Sequence, residues 1–242
     1  MTVFGGRDCG RSCVTTGVGY PEKIVRILEN AYRDTFSAVR VDGDVTDWFN
    51  TVVGVLQGCV LSPLLFNIFL EAIIAMALDN TDSGAGIGGE LLTDLRFADD
   101  IALLAEERNG LQSSLDNIVA VSRKMGMRLN TAKTEIQYLG KGDIRFCLQA
   151  DGQQLKQTDN FVYLGGNIST NEGSEGDISR RIGLARGIVQ SLSKIWTSRE
   201  ISKATKVTVN ETLVLSVLLY NSETWTLKAT QQNRLRTLRW PV

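Results

Sequence analysis

Apolar positions along the 242-residue chain change period several times, and each period predicts an element. Pro21 followed by Ile24, Ile27, Leu28 and Ala31 has the spacing of an amphipathic helix with proline in its first turn. "SAVRV", "DGD" and "VTDWFNTVV" then read as a β-hairpin turning on Asp-Gly. Ser62 is a candidate N-cap, with Pro63 at the first position of an apolar helix over 63–78. Leu91 to Ala105 reads as a hairpin of two apolar runs. Leu111, Leu115, Ile118, Val119, Ser122 and Met125 mark a one-sided helix that stops at Gly126. Short strands are expected around 136–139, 145–149 and 161–164.

Past "NEGSEGD" (171–177) the pattern turns wholly helical. Ile178, Ile182, Ala185, Val189, Leu192 and Trp196 form a seam, and Val209 to Leu219 is another apolar run. The expected organisation is an irregular segment 1–20, an α+β region 21–171 and a basic helical region 172–242. No internal repeat or low-complexity tract interrupts it.

Composition sharpens this picture by exclusion. At 43% hydrophobic and 22% charged residues, the chain is that of an ordinary soluble globular protein. It has no histidine, which removes Ser-His and Cys-His nucleophiles, imidazole proton shuttles and the commonest zinc ligand. Cys9, Cys13, Cys59 and Cys147 are too scattered for a disulfide framework and read as free thiols in a reducing compartment. The Gly-rich start shows no signal peptide, so an intracellular location, nuclear or cytoplasmic, is expected rather than secretion. Residues 59–78 have membrane-spanning length, but Pro63, Asn67 and Glu71 interrupt them, which reads as a buried core helix. The net charge of −1 is unevenly placed: residues 180–242 hold 11 Lys/Arg against 3 Asp/Glu, a balance of +8 on an acidic body. That tail fits a polyanion partner or, equally, solvated helix faces.

One short stretch carries chemistry. "RFADDIALLAE" (96–106) sets Asp99 and Asp100 side by side between apolar runs. Adjacent carboxylates repel without a counter-charge, and burial raises that cost. Either one of them is an exposed turn residue, or the pair serves a divalent cation such as Mg²⁺, which takes oxygen ligands between carboxylates and phosphates.

Four stretches in order resemble the palm of reverse transcriptases, and more narrowly those of non-LTR retrotransposons: "GVLQGCVLSPLLFNIFLEAI" (54–73), "LRFADDIALLAE" (95–106), "GMRLNTAKTE" (126–135) and "FVYLGGNIS" (161–169). "DISRRIGLARGIVQSLSKIW" and "LLYNSETWTLK" resemble the helical region that follows the polymerase core. The resemblance runs from about Gly17 to the end of the chain. It implies an α+β palm, a small antiparallel sheet with helices packed on one face, and then an all-helical thumb-like region. It implies RNA-templated DNA synthesis by two-metal nucleotidyl transfer, with an RNA template, a DNA primer, deoxynucleoside triphosphates and Mg²⁺ (or Mn²⁺); no membrane is involved. Asp99 and Asp100 would be the catalytic metal ligands, and Lys133 would neutralise or protonate the departing pyrophosphate. Gln57 and Gly58, continued by Ser62 and Pro63, would contact template or nucleotide. Tyr163, Leu164, Gly165 and Gly166 would grip the primer terminus.

Two departures temper the implied activity. The family's first palm motif supplies a further aspartate, and "MTVFGGRDCGRSCVTTGVGY" does not show it; Asp8 is the only acid there. Leu56 stands where relatives often carry arginine. The expectation is therefore an N-terminally truncated member that does not polymerise DNA alone, with two alternatives: a non-catalytic nucleic-acid-binding remnant, or a relic without function.

Overall fold

Why the apolar stretches settle as they do is visible in a computed structural model, which describes residues 21–33, 35–51, 55, 58–79, 81–140, 142, 144–170 and 173–236. Two compact units emerge, one formed by Met1–Thr134 with Phe146–Leu155, the other by Glu135–Arg145 with Lys156–Val242.

In the first unit, α1 (Glu22–Tyr32) precedes four short strands, β1 (Phe36–Ser37), β2 (Arg40–Val41), β3 (Asp44–Val45) and β4 (Phe49–Asn50). β2 and β3 pair across Asp42 and Gly43, both at positive φ (51° and 98°), which suits the Asp-Gly turn expected there. β1 and β4 extend the same ribbon. α1 corrects the predicted stripe: Ile24 and Ile27 are exposed, and the buried residue is Val25. The face carrying Val25 also carries Tyr32, whose hydroxyl lies 3.3 Å from Ser62 Oγ, so contact with the next helix decides which side is covered.

The centre of this unit is the pair α2 (Ser62–Leu78) and α3 (Arg108–Lys124). Leu70, Ile74, Ala77 and Leu78 of α2 pack on Ile118 of α3, and Phe69 and Ile73 meet Val121, Met125 and Met127. α2 buries one side only, since Leu64 and Met76 are exposed. α3 ends as expected, with Gly126 at φ +79° just past its last turn. Between the two helices lie the hairpins β5 (Ala85–Ile87)/β6 (Glu90–Leu92) and β7 (Asp94–Phe97)/β8 (Asp100–Leu103). Ile101 and Leu103 of β8 join the α2–α3 cluster, so helices cover one face of that hairpin.

In the second unit, β9 (Glu135–Ile136) pairs in parallel with β12 (Lys156–Gln157), whereas β10 (Gln149–Ala150) and β11 (Gln153–Gln154) form a hairpin of the first unit. β13 (Asn160–Tyr163) and β14 (Gly166–Ser169) make a tight antiparallel hairpin. Three predicted strands are thus found shorter or shifted, at 135–136, 149–150 and 160–163. After Ser169 the described residues hold only helices. α4 (Glu175–Ser191) carries the predicted seam; Leu192 ends it, and α5 (Ser193–Thr197) follows. Ile178, Ile182 and Ala185 pack against Val214 and Leu218, with Trp196 and Trp225 at the margin. The apolar run 209–219 is helical in an unexpected way: α6 (Lys203–Val209) widens into a π-helix over Asn210–Leu215 before a short α-helical turn. The chain is therefore a mixed α/β protein of helices and small, mostly antiparallel two-stranded sheets.

Candidate functional site

The Asp pair sits at the tip of the β7/β8 hairpin. Phe97 pairs with Asp100, which leaves Ala98 and Asp99 as a two-residue turn, with Ala98 at φ +52°. That conformation costs a residue bearing a Cβ about 1–2 kcal/mol. Directly opposed residues share a face, so Asp94, Arg96, Ile101 and Leu103 point to the helices, while Leu95, Phe97, Asp100 and Ala102 point away. The outward face is uncovered, with Phe97 64% exposed. Asp99 and Asp100 are both exposed, and among the described residues no hydrogen bond or ion pair engages either carboxylate. The like charges sit in solvent at a tip, outside the core that the flanking apolar runs suggested.

The base of the hairpin is held by a charge group that periodicity alone does not predict. The Arg96 guanidinium bonds to both Asp94, whose side chain is 5% exposed, and Glu71 of α2. Thr93 Oγ1 also donates to Asp94 Oδ1 at 2.8 Å. Asp94 first, and then Glu71, hold the Arg96 pKa above its ordinary value, against the opposing pull of burial. A signal for this exists in the sequence: opposite charges two apart in a strand, and one acid within an otherwise apolar helix.

The segment before α2 gives a mixed result. Gln57 lies outside the described residues. Gly58 takes φ +84° with open space around its α-carbon, so conformation rather than crowding requires glycine there. Ser62 is not the N-cap; it is the first helical residue and is buried against Tyr32. The cap position belongs to Leu61, and Pro63 is the second helical residue, exposed. The Cys59 thiol is drawn below its ordinary pKa, chiefly by the Leu61 backbone N–H and then by the Ser62 hydroxyl. Lys133 is exposed in the turn before β9, where its N–H donates to Asn130 O at 3.1 Å; no ion pair joins it to the Asp pair among the described residues.

Tyr163, Leu164, Gly165 and Gly166 belong to the second unit and form the tip of the β13/β14 hairpin. Leu164 and Gly165 sit at φ +48° and +80°, the two-residue turn that suits twisted strands. Its carbonyls are committed internally. Tyr220 Oη donates to Leu164 O at 2.8 Å, and Arg180 donates to Gly165 O at 3.0 Å, as does Arg181. Asp177 accepts from the Asn167 backbone N–H at 3.1 Å and from the Trp225 indole at 2.9 Å. These residues lie in the two tail stretches, for which the sequence suggested a thumb-like region and a polyanion partner or solvated helix faces, but no contact with this hairpin.

With this geometry in hand, comparison with known proteins is decisive. The family model described as reverse transcriptase (RNA-dependent DNA polymerase) matches residues 11–168. The chain belongs to the reverse transcriptase family. Its relatives mark the non-LTR retrotransposon type. It is 31% identical over 153 residues to a transposon-derived protein of Caenorhabditis elegans, covering 62% of this chain and 54% of that one. It is 30% identical over 161 residues to the Pol polyprotein of the R2DM element of Drosophila melanogaster, covering 62% of this chain and 15% of the polyprotein. With the R2 Pol polyprotein of Nasonia vitripennis it is 39% identical over 102 residues, 42% of this chain and 10% of the polyprotein. The chain thus spans about half of the first relative and a small part of the other two.

Among the described residues of this chain, no three His, Cys, Asp or Glu side chains cluster closely enough to hold a metal ion. The chemistry of the donors nevertheless suits a hard divalent cation, since Asp99 and Asp100 offer exposed carboxylate oxygens that no described residue engages. No helix among the described residues is long and apolar enough to cross a membrane.

Proposed function

We propose that Asp99 and Asp100 hold Mg²⁺ (or Mn²⁺) in RNA-templated DNA synthesis, with residues 21–171 as a polymerase palm and 172–242 as a thumb-like helical region. One observation carries this reading: the two carboxylates are exposed, without a partner among the described residues, on a hairpin that Arg96 and the α2–α3 core hold in place. When bound, the cation supplies charge for the developing negative oxygens of phosphoryl transfer. The primer 3′-hydroxyl attacks the α-phosphorus of a deoxynucleoside triphosphate and pyrophosphate departs, so the chain provides no nucleophile. Lys133 neutralises the departing group, Gln57, Gly58, Ser62 and Pro63 line the template and nucleotide side, and Tyr163 to Gly166 grip the primer terminus. A carboxylate pair alone makes an incomplete cage, and further oxygen donors from substrate phosphates and another carboxylate complete it. We propose that, without that further carboxylate, turnover by this chain is negligible although binding persists. An intracellular location, nuclear or cytoplasmic, accompanies this set of substrates.

The test is Mn²⁺ binding, followed by electron paramagnetic resonance, with an RNA template, a DNA primer and a non-hydrolysable deoxynucleotide. Asp99→Asn should weaken Mn²⁺ at least tenfold, as losing a direct ligand does. Equal Mn²⁺ affinity in wild type and Asp99→Asn would defeat the metal reading. Duplex binding that ignores Mn²⁺ and weakens steeply with salt would instead favour a non-catalytic nucleic-acid-binding protein.

A further inference from the structure

We infer that Asp177, Arg181 and Tyr220 are positioning residues that fix the Leu164–Gly165 turn from behind; the functional consequence rests on the reading of that turn as the primer-terminus grip. Four consecutive residues of the tip are engaged by side chains from two other stretches. Tyr220 binds Leu164 O, Arg180 and Arg181 bind Gly165 O, and Asp177 binds the Asn167 N–H. Between them, Gly166 lies flush on Asn221: a Cβ there would fall 2.1 Å from Asn221 Nδ2.

What distinguishes this from ordinary hairpin packing is the burial of charge. Asp177 is 1% exposed and Arg181 6%, and both are ionisable groups whose removal from water is costly. Their mutual geometry does not repay that cost well. Arg181 Nε stands 3.8 Å from Asp177 Oδ1 and has no hydrogen-bond partner of its own. The guanidinium is instead directed to the turn, donating to Gly165 O while its carbon lies 4.4 Å from the centre of the Tyr220 ring. Asp177 in turn orients that guanidinium and ties in Trp225. A merely stabilising contact at this place would be better made by apolar side chains. The charged arrangement is explained by what it determines, which is where the two turn carbonyls point.

Those carbonyls are thereby withdrawn from external partners, so the tip presents the exposed Leu164 side chain and the turn's shape rather than its carbonyl oxygens. In this respect the helical stretch after the hairpin acts as the second half of the grip. The arrangement is built within one unit of the chain, 135–145 with 156–242, and needs nothing from the other.

The experiment uses the full chain with two readouts. Hydrogen exchange, followed by mass spectrometry, compares residues 164–167 with residues 182–189 of α4. A 2-aminopurine at the primer 3′-end of an RNA–DNA duplex reports contact with the terminus, while anisotropy reports overall duplex binding. Arg181→Lys keeps the charge but cannot stack and fork together. It should speed exchange at 164–167 by about tenfold and leave α4 within about twofold, since one charge-assisted bond is lost locally. The terminal 2-aminopurine signal should weaken while duplex affinity stays within a factor of about two. If Arg181→Lys unfolds the unit, Tyr220→Phe decides, because it removes one hydroxyl, keeps the ring over Arg181 and should speed exchange at 164–167 by roughly fivefold. Unchanged exchange at 164–167, or a rise shared equally with α4, overturns the positioning role. If exchange responds but the unaltered chain gives no terminus-specific signal, positioning stands and the primer-grip reading falls.

Discussion

The β7/β8 and β13/β14 hairpins have the same frame: strands of four residues, a two-residue turn and a left-handed residue at the tip. They differ in where their polar groups are engaged. In β7/β8 the anchoring charges lie along the strand, Arg96 reaching back to Asp94 at the base and across to Glu71, and among the described residues the tip carboxylates have no partner. In β13/β14 the buried Asp177 and Arg181 close on the tip itself. A tip that is to accept a ligand keeps its donors or acceptors available; a tip that is to keep a shape has them occupied from within. The same backbone motif thus stands in two different polar surroundings, set by the side chains around it.

The largest effect separates the two tips by stability. Asp177→Ala leaves Arg181 buried without its counter-charge and removes the acceptor for Asn167 and Trp225, costing about 3–5 kcal/mol. Arg96→Met strands the buried Asp94 but spares the hydrophobic cluster, for about 3 kcal/mol. Asp99→Ala, at a solvated tip, should stay within about 0.5 kcal/mol. Thermal melts followed by circular dichroism order the three, and a large loss for Asp99→Ala would mean that its carboxylate has a structural partner after all.

A smaller effect tests the turns by backbone alone. Gly165→Ala forces a Cβ at φ +80°, 3.2 Å from the Tyr220 ring, and should cost about 1–2 kcal/mol. Ala98→Gly relieves φ +52° at the acidic tip and should gain about 0.5–1 kcal/mol after the added chain entropy. Opposite signs in denaturant melts are the expected result; equal signs would remove the backbone difference between the tips.

The smallest effect concerns acid. At the start of α4, the Gln231 side-chain amide, and after it Arg234, draw the Glu175 carboxyl below its ordinary value of 4.5. A depressed carboxyl contributes stability that is full above its unfolded value and lost as pH falls through its folded one. Docking of α7 (Ala229–Arg236) on α4 should therefore loosen only below about pH 4.5, seen by Trp fluorescence and absent in Glu175→Gln.

Much of this molecule is legible locally. The α2 and α3 helices, the Asp-Gly turn, the Asp hairpin and the stop at Gly126 follow from periodicity and turn chemistry. The ordered motifs place the chain in its family. Less legible were the covered side of α1, where Val25 replaces the expected Ile24 and Ile27, and the cap of α2, where Ser62 is buried inside the helix. Both depend on Tyr32 meeting Ser62, thirty residues away, which no local pattern encodes.

Sequence by itself determined the main helices, the Asp hairpin and the family, because each rests on neighbours within a few residues or on the order of short motifs. Tertiary structure alone decided which charges are engaged. Asp177 finds Trp225 across 48 positions and Tyr220 finds Leu164 across 56, while Asp99 and Asp100, set between apolar runs, are left in solvent. The physical reason is that burial and pairing of a charge depend on partners brought together by the core, and only a close pair such as Asp94 and Arg96 leaves a trace of them in the neighbouring sequence.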